Sequence, residues 1–321
     1  MRRLGHPVHL LREKFMLRIR QPNLTLTLNL NLNPIKDSRP KTDTENLLES
    51  LKNHQKDLIW QDSSQTIIKQ EYQRYTDIIT PKETAIIAPN NIALPANHIR
   101  LGTDKGVIRS QYPTASGVDD FKAMLAEKRV TLVVVIADNN MLDNPFGKYQ
   151  SPHPTYFRQG EIEKDLISWI PKQTDNIDLD AYEMKLKDAN NKTIPINIVH
   201  IKNWQDHTSF DKDAIRTLAE MVTQLHQLAL NNFKKQGSQA VDAECKALPV
   251  IHCSAGVGRT GQLIAAMELT NPKSSQSLES IIKTLREQGG PDMVQTEDQM
   301  KALIDLAEMV GKPLWAKDER R

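Results

Sequence analysis

The chain has 321 residues, which is enough for one large domain preceded by an arm, or for two small domains. Hydrophobic residues make up 39% and charged residues 26%, as in ordinary globular proteins, and the net charge of +2 gives no general argument for nucleic-acid binding. Two cysteines cannot build a disulfide framework and no apolar run approaches ~20 residues, so the sequence predicts neither a disulfide scaffold nor a membrane span.

Residues 1–45 differ in composition from the rest of the chain. They are rich in arginine and lysine, with Glu13 as the single acid before residue 34, and residues 24–33 alternate leucine with a polar residue. This alternation is typical of a strand with one apolar face, whereas the polar residues 34–44 predict a linker. An edge strand, a disordered arm and a true start at Met16 are all compatible with this segment.

Hydrophobic periodicity predicts the elements that follow. The predicted helices are 45–60, 116–128 with Ser116 as N-cap, 211–236, 277–287 and 295–310. The predicted strands are 95–101, 107–113, 131–137, 182–187, 193–201 and 248–252. The β-branched run 131–137 is typical of a central strand covered on both faces, and strands 182–187 and 193–201 predict a hairpin.

The stretch 252–261 lies between a predicted buried strand and a predicted helix that covers 261–269. Its glycines let the backbone curl, so that successive N–H groups point into one concavity above a helix N-terminus. Arg259 adds a planar fork that can bind two oxygens of a phosphate. The stretch therefore predicts a binding site for a dianion such as phosphate.

Cys253 lies at the entrance of this predicted site. The positive electrostatic potential that binds phosphate also stabilises a thiolate, and a thiolate that faces phosphorus is a nucleophile. Thr260 is placed to hydrogen-bond the sulfur. A lone cysteine near glycines is more often a small buried hydrophobe, but a His-Cys string followed after five residues by Arg-Thr-Gly is much rarer and favours the catalytic interpretation.

The string from His252 to Gly261 resembles the signature loop of the protein-tyrosine phosphatases without a gap. The resemblance covers roughly residues 70–316, and several stretches, Tyr156-Phe-Arg-Gln among them, are similar to the bacterial effector phosphatases of the YopH and SptP type. It implies an α/β fold in which α-helices flank a central twisted mixed β-sheet, with an arm over 1–45, a catalytic domain over 46–316 and a charged tail over 317–321. No His/Cys/Asp spacing in the sequence suggests a metal site, and the predicted chemistry needs neither a metal nor a cofactor.

Within the signature loop, the resemblance makes Cys253 the nucleophile and Arg259 the phosphate-binding arginine. Thr260 would stabilise the sulfur when it leaves. The remaining loop residues would bind the phosphate oxygens of the substrate: Ser254, Ala255, Gly256, Val257 and Gly258.

Residues 73–78 resemble the family's phosphotyrosine-recognition loop. Tyr75 would stack on the phenyl ring of the substrate and form one wall of a deep pocket, and Asp77 would hold the backbone N–H groups of the substrate peptide. A phosphoserine is too short to reach the thiolate at the bottom of such a pocket. Without this resemblance, Tyr75 would be interpreted as a core aromatic residue.

Residues 203–208 are similar to the family's mobile acid loop, which normally reads Trp-Pro-Asp. Trp204 would anchor the loop, and Asp206 would be the general acid, a role that contributes about 10²–10⁴-fold to such reactions. Gln205 replaces the proline and frees one φ angle, which predicts slower turnover without loss of activity. His207 stands where relatives have a polar residue that helps to orient water.

A second difference from the effector branch lies in residues 136–144. Met141 occupies the position of a glutamate that, in those relatives, pairs with the phosphate-binding arginine. Asp138 or Asp143 could substitute for that glutamate from a neighbouring position.

Residues 293–300 are similar to the family's glutamine loop. Gln295 would hold the water that attacks the phosphocysteine, and Gln299 would lie nearby on the substrate side. The same residues can also be interpreted as a helix N-terminus with Thr296 as its cap, and the two interpretations are compatible.

Together these features predict hydrolysis of phosphotyrosine in proteins through a phosphocysteine intermediate. The resemblance implies an effector that a bacterium secretes and that acts on host phosphoproteins in the host cytoplasm, with a secretion chaperone bound to the arm. Met141 and Gln205 motivate an alternative, a weak or inactive phosphatase that only binds phosphotyrosine. Action on phosphoserine, lipid or arsenate is a further alternative, against which Tyr75, Asp77 and the acid loop argue.

Overall fold

Seven strands of the described residues pair into one mixed sheet in the computed structural model, which describes residues 42–60, 65–102, 106–142, 153–158, 176–235 and 247–316. The strands are β1 Ala85–Ile87, β2 Ala93–Ile99, β3 Val107–Ser110, β4 Leu132–Ile136, β5 Leu179–Lys187, β6 Thr193–Ile201 and β7 Pro249–His252. Their order across the sheet is β1-β2-β3-β7-β4-β6-β5. The predicted leucine-rich strand at 24–33, the alternative start at Met16 and the charged tail lie outside the described residues.

The four strands β3, β7, β4 and β6 run parallel, and β1, β2 and β5 add antiparallel pairs at the two sides. The predicted hairpin is confirmed, since β5 and β6 pair along their whole length. Because the parallel strands point the same way, the residues that follow Ser110, His252, Ile136 and Ile201 emerge at one edge of the sheet. In open α/β sheets, ligands bind at this carboxyl edge.

The helices are α1 Asp43–Trp60, α2 Val118–Glu127, α3 Lys212–Lys235, α4 Gly258–Thr270, α5 Leu278–Gly289 and α6 Glu297–Met309. The prediction that Ser116 caps α2 is wrong, because Gly117 occupies the N-cap position and no side chain caps the helix there. Residues 114–117 instead form a turn in which the N–H of Gly117 donates to Thr114.

Two hydrophobic clusters cover the two faces of the sheet. Leu132, Val134 and Ile136 of β4 belong to the cluster that includes residues of α1, α3, α4, α5 and α6. Val133 and Val135 belong to the other cluster, to which α2 contributes. All five residues of β4 are buried, which confirms that the β-branched run is a central strand covered on both faces.

All described residues belong to one compact unit. None of the helices described here is long and apolar enough to cross a membrane.

Candidate active site

The loop between β7 and α4 curls around the sulfur of Cys253. This side chain is 2% exposed, and its Sγ accepts a hydrogen bond from the N–H of Gly256 at 3.3 Å. Helix α4 begins at Gly258, three residues earlier than predicted, and its first hydrogen bond joins the N–H of Gly261 to the carbonyl of Val257 at 2.9 Å. The loop therefore ends in a helix N-terminus, whose free amides favour an anion.

A close approach of two backbones fixes the conformation of this loop. Gly256 has a φ of +74°, and a β-carbon built on it would lie 2.1 Å from the carbonyl oxygen of Ser110 at the end of β3. The next strand-to-loop contact is a hydrogen bond from the N–H of Tyr112 to the carbonyl of Ser254 at 3.0 Å. Only glycine can occupy position 256 while β3 keeps its place.

Arg259 lies in the first turn of α4, is 1% exposed, and reaches the acid loop. Its Nη1 donates to the carbonyl of Trp204 at 2.8 Å, and its Nη2 donates to Oδ1 of Asp206 at 2.8 Å. The structure thus brings together the predicted phosphate-binding arginine and the predicted general acid. A phosphate bound in the loop would compete with Asp206 for the Nη2 donor.

Thr260 follows in the same turn and is fully buried. Its hydroxyl has no hydrogen-bond partner among the described residues, so the predicted bond to the sulfur is not formed in this structure.

The acid loop is anchored by a buried aromatic pair. Trp204 is 1% exposed and stacks on Phe210 with ring centroids 4.5 Å apart. Thr208 forms two hydrogen bonds within this loop. Its carbonyl accepts from the Trp204 indole at 3.3 Å, and its hydroxyl donates to the carbonyl of Gln205 at 2.8 Å. The Asp206 side chain between them is 29% exposed, so it can reach a ligand from its place beside Arg259.

The recognition loop lies against the signature loop. The Tyr75 hydroxyl and the Ser254 hydroxyl are 2.9 Å apart and share a hydrogen bond. The buried carboxamide of Gln111 accepts from the N–H groups of Arg74 and Tyr75 and donates to the carbonyl of Tyr75, at 3.0 Å each. Burial raises the pKa of Tyr75, so its hydroxyl stays a neutral hydrogen-bonding group. Asp77, two residues after Tyr75, is exposed.

Two buried histidines support this wall, and sequence reasoning missed both roles. Nε2 of His153 lies 2.8 Å from the Ser254 hydroxyl, and Nε2 of His252 lies 2.6 Å from the Tyr156 hydroxyl. Burial lowers the pKa of each histidine to about 3, so both rings are neutral near pH 7. The sequence signals were the place of His252 at the start of the signature string and the Tyr156 segment, which resembles the effector branch, and neither says anything about these contacts.

The glutamine loop reaches the signature loop from the other side. Gln299 is 1% exposed, and its Oε1 accepts from the N–H groups of Gln295 and Thr296 at 3.0 and 3.2 Å. Its Nε2 donates to the carbonyl of Thr208 at 3.1 Å. A β-carbon on Gly258 would lie 3.1 Å from Nε2 of Gln299 and 3.3 Å from Oε1 of Gln295, so both carboxamides border the loop. The predicted contact of Gln299 with substrate stays a prediction.

The glutamine loop also holds an unusual backbone. Val294 has a φ of +59°, a conformation that strains a β-branched residue. Its N–H donates to the carbonyl of Val257 at 3.3 Å, so this turn is tied to the start of α4.

The segment around Met141 gives Arg259 no carboxylate within the described residues. Met141 is 8% exposed, and Oδ1 of Asp138 accepts from the N–H of Asn140 at 2.8 Å, where it caps a short turn. Asp143 lies outside the described residues. The carboxylate that pairs with Arg259 is Asp206.

Comparisons with known proteins show which family this chain resembles. Residues 69–308 match the family model described as protein-tyrosine phosphatase. The chain is 37% identical over 252 residues to the tyrosine-protein phosphatase YopH of Yersinia pseudotuberculosis serotype I (strain IP32953), with 76% of this chain and 52% of YopH covered. It is 26% identical over 230 residues to the secreted effector protein SptP of Salmonella typhi, with 69% of this chain and 39% of SptP covered.

The fold has solved counterparts. The catalytic domain of human protein tyrosine phosphatase non-receptor type 18 superposes with a TM-score of 0.59 at 20% identity, and the match covers 83% of this chain and 96% of that domain. This likeness shows the fold. The chain spans about half the length of YopH, the first of the curated relatives it matches.

Proposed function

This chain belongs to the protein-tyrosine phosphatase family, and we propose that it hydrolyses phosphotyrosine in proteins through a phosphocysteine intermediate. One observation carries the proposal: Arg259 joins the loop that surrounds the Cys253 sulfur to the carboxyl group of Asp206, through a bond of 2.8 Å. Nucleophile, phosphate clamp and acid are therefore within reach of one bound phosphoryl group.

In the first step, the Cys253 thiolate attacks phosphorus in line with the tyrosine oxygen. The S–P bond forms as the P–O bond to tyrosine breaks, and Asp206 gives its proton to the departing oxygen. The loop N–H groups and Arg259 bind the three equatorial oxygens, on which the charge of the loose transition state is spread.

In the second step, water held by Gln295 attacks the phosphorus of the phosphocysteine. Asp206 takes a proton from this water, the P–S bond breaks, and the thiolate and inorganic phosphate are released. The bond between Asp206 and Arg259 suggests how the acid is delivered, because a substrate phosphate takes over Nη2 and the displaced carboxyl group turns to the leaving oxygen.

Substrate choice follows from the wall formed by Tyr75. Its hydroxyl is fixed to Ser254 at 2.9 Å, and Gln111 holds its backbone, so the ring stands at a set distance from the loop. A phosphotyrosine side chain spans that depth and a phosphoserine does not. Asp77 then binds the backbone of a peptide substrate at the rim.

The similarity to YopH and SptP supports a wider role. We extend the proposal to a bacterial effector that is secreted and acts on host phosphotyrosine proteins in the host cytoplasm, since SptP is named a secreted effector protein. In this proposal, residues 1–45 carry the export signal and a chaperone-binding segment, and residues 46–316 form the catalytic domain. The last three residues of the predicted arm already belong to α1, which begins at Asp43.

The decisive assay measures turnover of p-nitrophenyl phosphate by wild type, Cys253→Ser and Asp206→Asn. We expect no turnover for Cys253→Ser and a loss of about 10²–10³-fold in kcat for Asp206→Asn. Asp213→Asn is the matched control, because Asp213 is an exposed aspartate at the start of α3 that pairs with Lys212, and it should retain wild-type turnover.

Wild-type protein as slow as Cys253→Ser would contradict catalysis and indicate a phosphotyrosine-binding protein instead. Equal turnover of phosphoserine and phosphotyrosine peptides would contradict the assignment of substrate.

A further inference from the structure

Arg109 is an arginine enclosed in the central sheet. It lies in β3, where it pairs with Asn97 of β2 and Ile251 of β7, and it is 0% exposed. Its Nη2 donates to the carbonyl of Ile79 at 3.0 Å, whereas Nε and Nη1 have no hydrogen-bond partner among the described residues. A buried guanidinium with a single hydrogen bond costs stability, so its presence indicates a role other than stabilising the fold.

The single bond of Arg109 is made to the recognition loop. Ile79 follows Asp77 by two residues, so Arg109 holds the far end of this loop. Gln111, two residues further along the same chain segment, holds the near end through Arg74 and Tyr75. Gln111 directly follows the end of β3, so Arg109 and Gln111 hold the two ends of the recognition loop from one chain segment.

The charge of Arg109 is retained in spite of burial. Burial lowers its pKa to about 9, and the negative charges of Cys253 and Asp292 oppose this shift, so the group stays cationic near pH 7. Asp292 also senses Asp77, since burial and then the neighbouring Asp77 carboxylate raise its pKa. Arg109 is therefore electrostatically coupled to Cys253 and to Asp292, and Asp292 in turn is coupled to Asp77 of the proposed peptide-binding rim.

We propose that Arg109 is a positioning residue for peptide recognition, which fixes Ile79 and thereby holds Asp77 at the height where it meets the backbone of a phosphotyrosine peptide. This inference rests on the proposed phosphatase function. It concerns the peptide part of the substrate, because a small aryl phosphate fills the pocket but has no backbone for Asp77 to bind.

The test compares kcat/KM for a phosphotyrosine peptide with kcat/KM for p-nitrophenyl phosphate. In Arg109→Met the ratio of the two should fall about tenfold, mainly through a higher KM for the peptide, as expected when one charged hydrogen bond is lost. Arg109→Lys keeps a donor without the planar fork and should lose about threefold.

Arg286→Met is the matched control for loss of a buried arginine. Arg286 is 5% exposed and shares the charged neighbour Asp292 with Arg109, but it donates to the carbonyls of Leu51 and Met293 rather than to that of Ile79. This variant should have a lower Tm with an unchanged ratio. A double-mutant cycle of Arg109→Met with Asp77→Asn should show that the two losses are not additive, because both act on the same contact.

An unchanged ratio in Arg109→Met, or fully additive losses in the cycle, would overturn the inference. Where Arg109→Met does not fold, Arg109→Lys decides in the same way, and an unchanged ratio in that variant overturns it. If wild type hydrolyses neither substrate, the proposed function itself has failed, which is distinct from a phosphatase whose ratio is indifferent to Arg109.

Discussion

Two glycines share a left-handed backbone conformation but differ in the space beside them. Gly256 and Gly311 have φ values of +74° and +68°. A β-carbon on Gly256 would lie 2.1 Å from the backbone oxygen of Ser110, whereas one on Gly311 would meet nothing within 4 Å. The first glycine is required by a close approach, and the second only by its φ angle.

Gly256→Ala should therefore destabilise the protein far more than Gly311→Ala. We expect Gly311→Ala to lower the free energy of unfolding by about 1 kcal/mol from the φ angle alone, and Gly256→Ala by about 3 kcal/mol or more, since β3 must also shift. Urea denaturation of both variants measures the difference. Equal losses would show that the approach of Ser110 to this loop is not rigid.

For single residues, the sequence predicted the site where the functional residues are close together along the chain. Cys253 and Arg259 are six residues apart in one string, and the structure has them in one loop and the turn that follows. His153 and Arg109 could not be identified, because their partners Ser254 and Ile79 are distant along the chain. Nothing in the local pattern distinguishes such residues from ordinary polar positions.

Among the elements, α6 links the glutamine loop to the acid loop, and both lie beside the signature loop. Its N-cap Thr296 and its third residue Gln299 form a capping box. Oε1 of Gln299 serves this box, and its Nε2 donates across to the carbonyl of Thr208 in the acid loop at 3.1 Å. One carboxamide thus caps a helix and positions a loop from another part of the chain.

A comparison of Gln299→Glu with Thr296→Ala should separate these two tasks. A glutamate still accepts from the amides of the capping box, but its second oxygen would repel the Thr208 carbonyl. We expect kcat for p-nitrophenyl phosphate to fall about tenfold, and stability to fall as well, because Gln299 is buried and the new carboxylate would face a carbonyl. Thr296→Ala should lower stability by about 1 kcal/mol and leave kcat nearly unchanged. A similar fall of kcat in both variants would argue against a link to the acid loop.

Element types were predictable from periodicity, but their ends were less so. The end of a helix depends on which group caps it, and that can come from a turn rather than from the nearest serine, as at Gly117. Likewise α4 begins at Gly258 because the Val257 carbonyl accepts the first helical bond. The three-residue strand β1 has too few residues to show a period.

For the whole molecule, the sheet order is what creates the site. Strand β3 pairs with β7, which follows it by about 140 residues, so no local pattern predicts the pairing. The mixed sheet itself was expected only through the family resemblance. Parallel pairing of β3, β7, β4 and β6 brings Gln111, Cys253 and Trp204 to one edge from three separate parts of the chain.

The same packing lowers the pKa of four histidines, of which His226 is only partly buried, and this should make the fold sensitive to acid. Burial lowers the pKa of His153 and His252 to about 3, and that of His200 and His226 to about 4. The unfolded chain binds these protons near pH 6.5, so their contribution to stability is fully present above that pH and is lost as the pH falls toward 4. The free energy of unfolding should therefore drop steeply between pH 6.5 and 4.5.

His226 allows the cause of this drop to be tested away from the active site. It lies on α3, and its Nδ1 is 2.7 Å from the hydroxyl of Thr131. His226→Gln can keep a partner for this hydroxyl but cannot take up a proton. The number of protons taken up on unfolding, which is measured from the slope of stability against pH, should therefore fall by up to about one proton. Above pH 7 the stability difference between variant and wild type should stay constant. A slope unchanged by the substitution would mean that His226 titrates alike in the folded and unfolded chains, and that the acid sensitivity arises elsewhere.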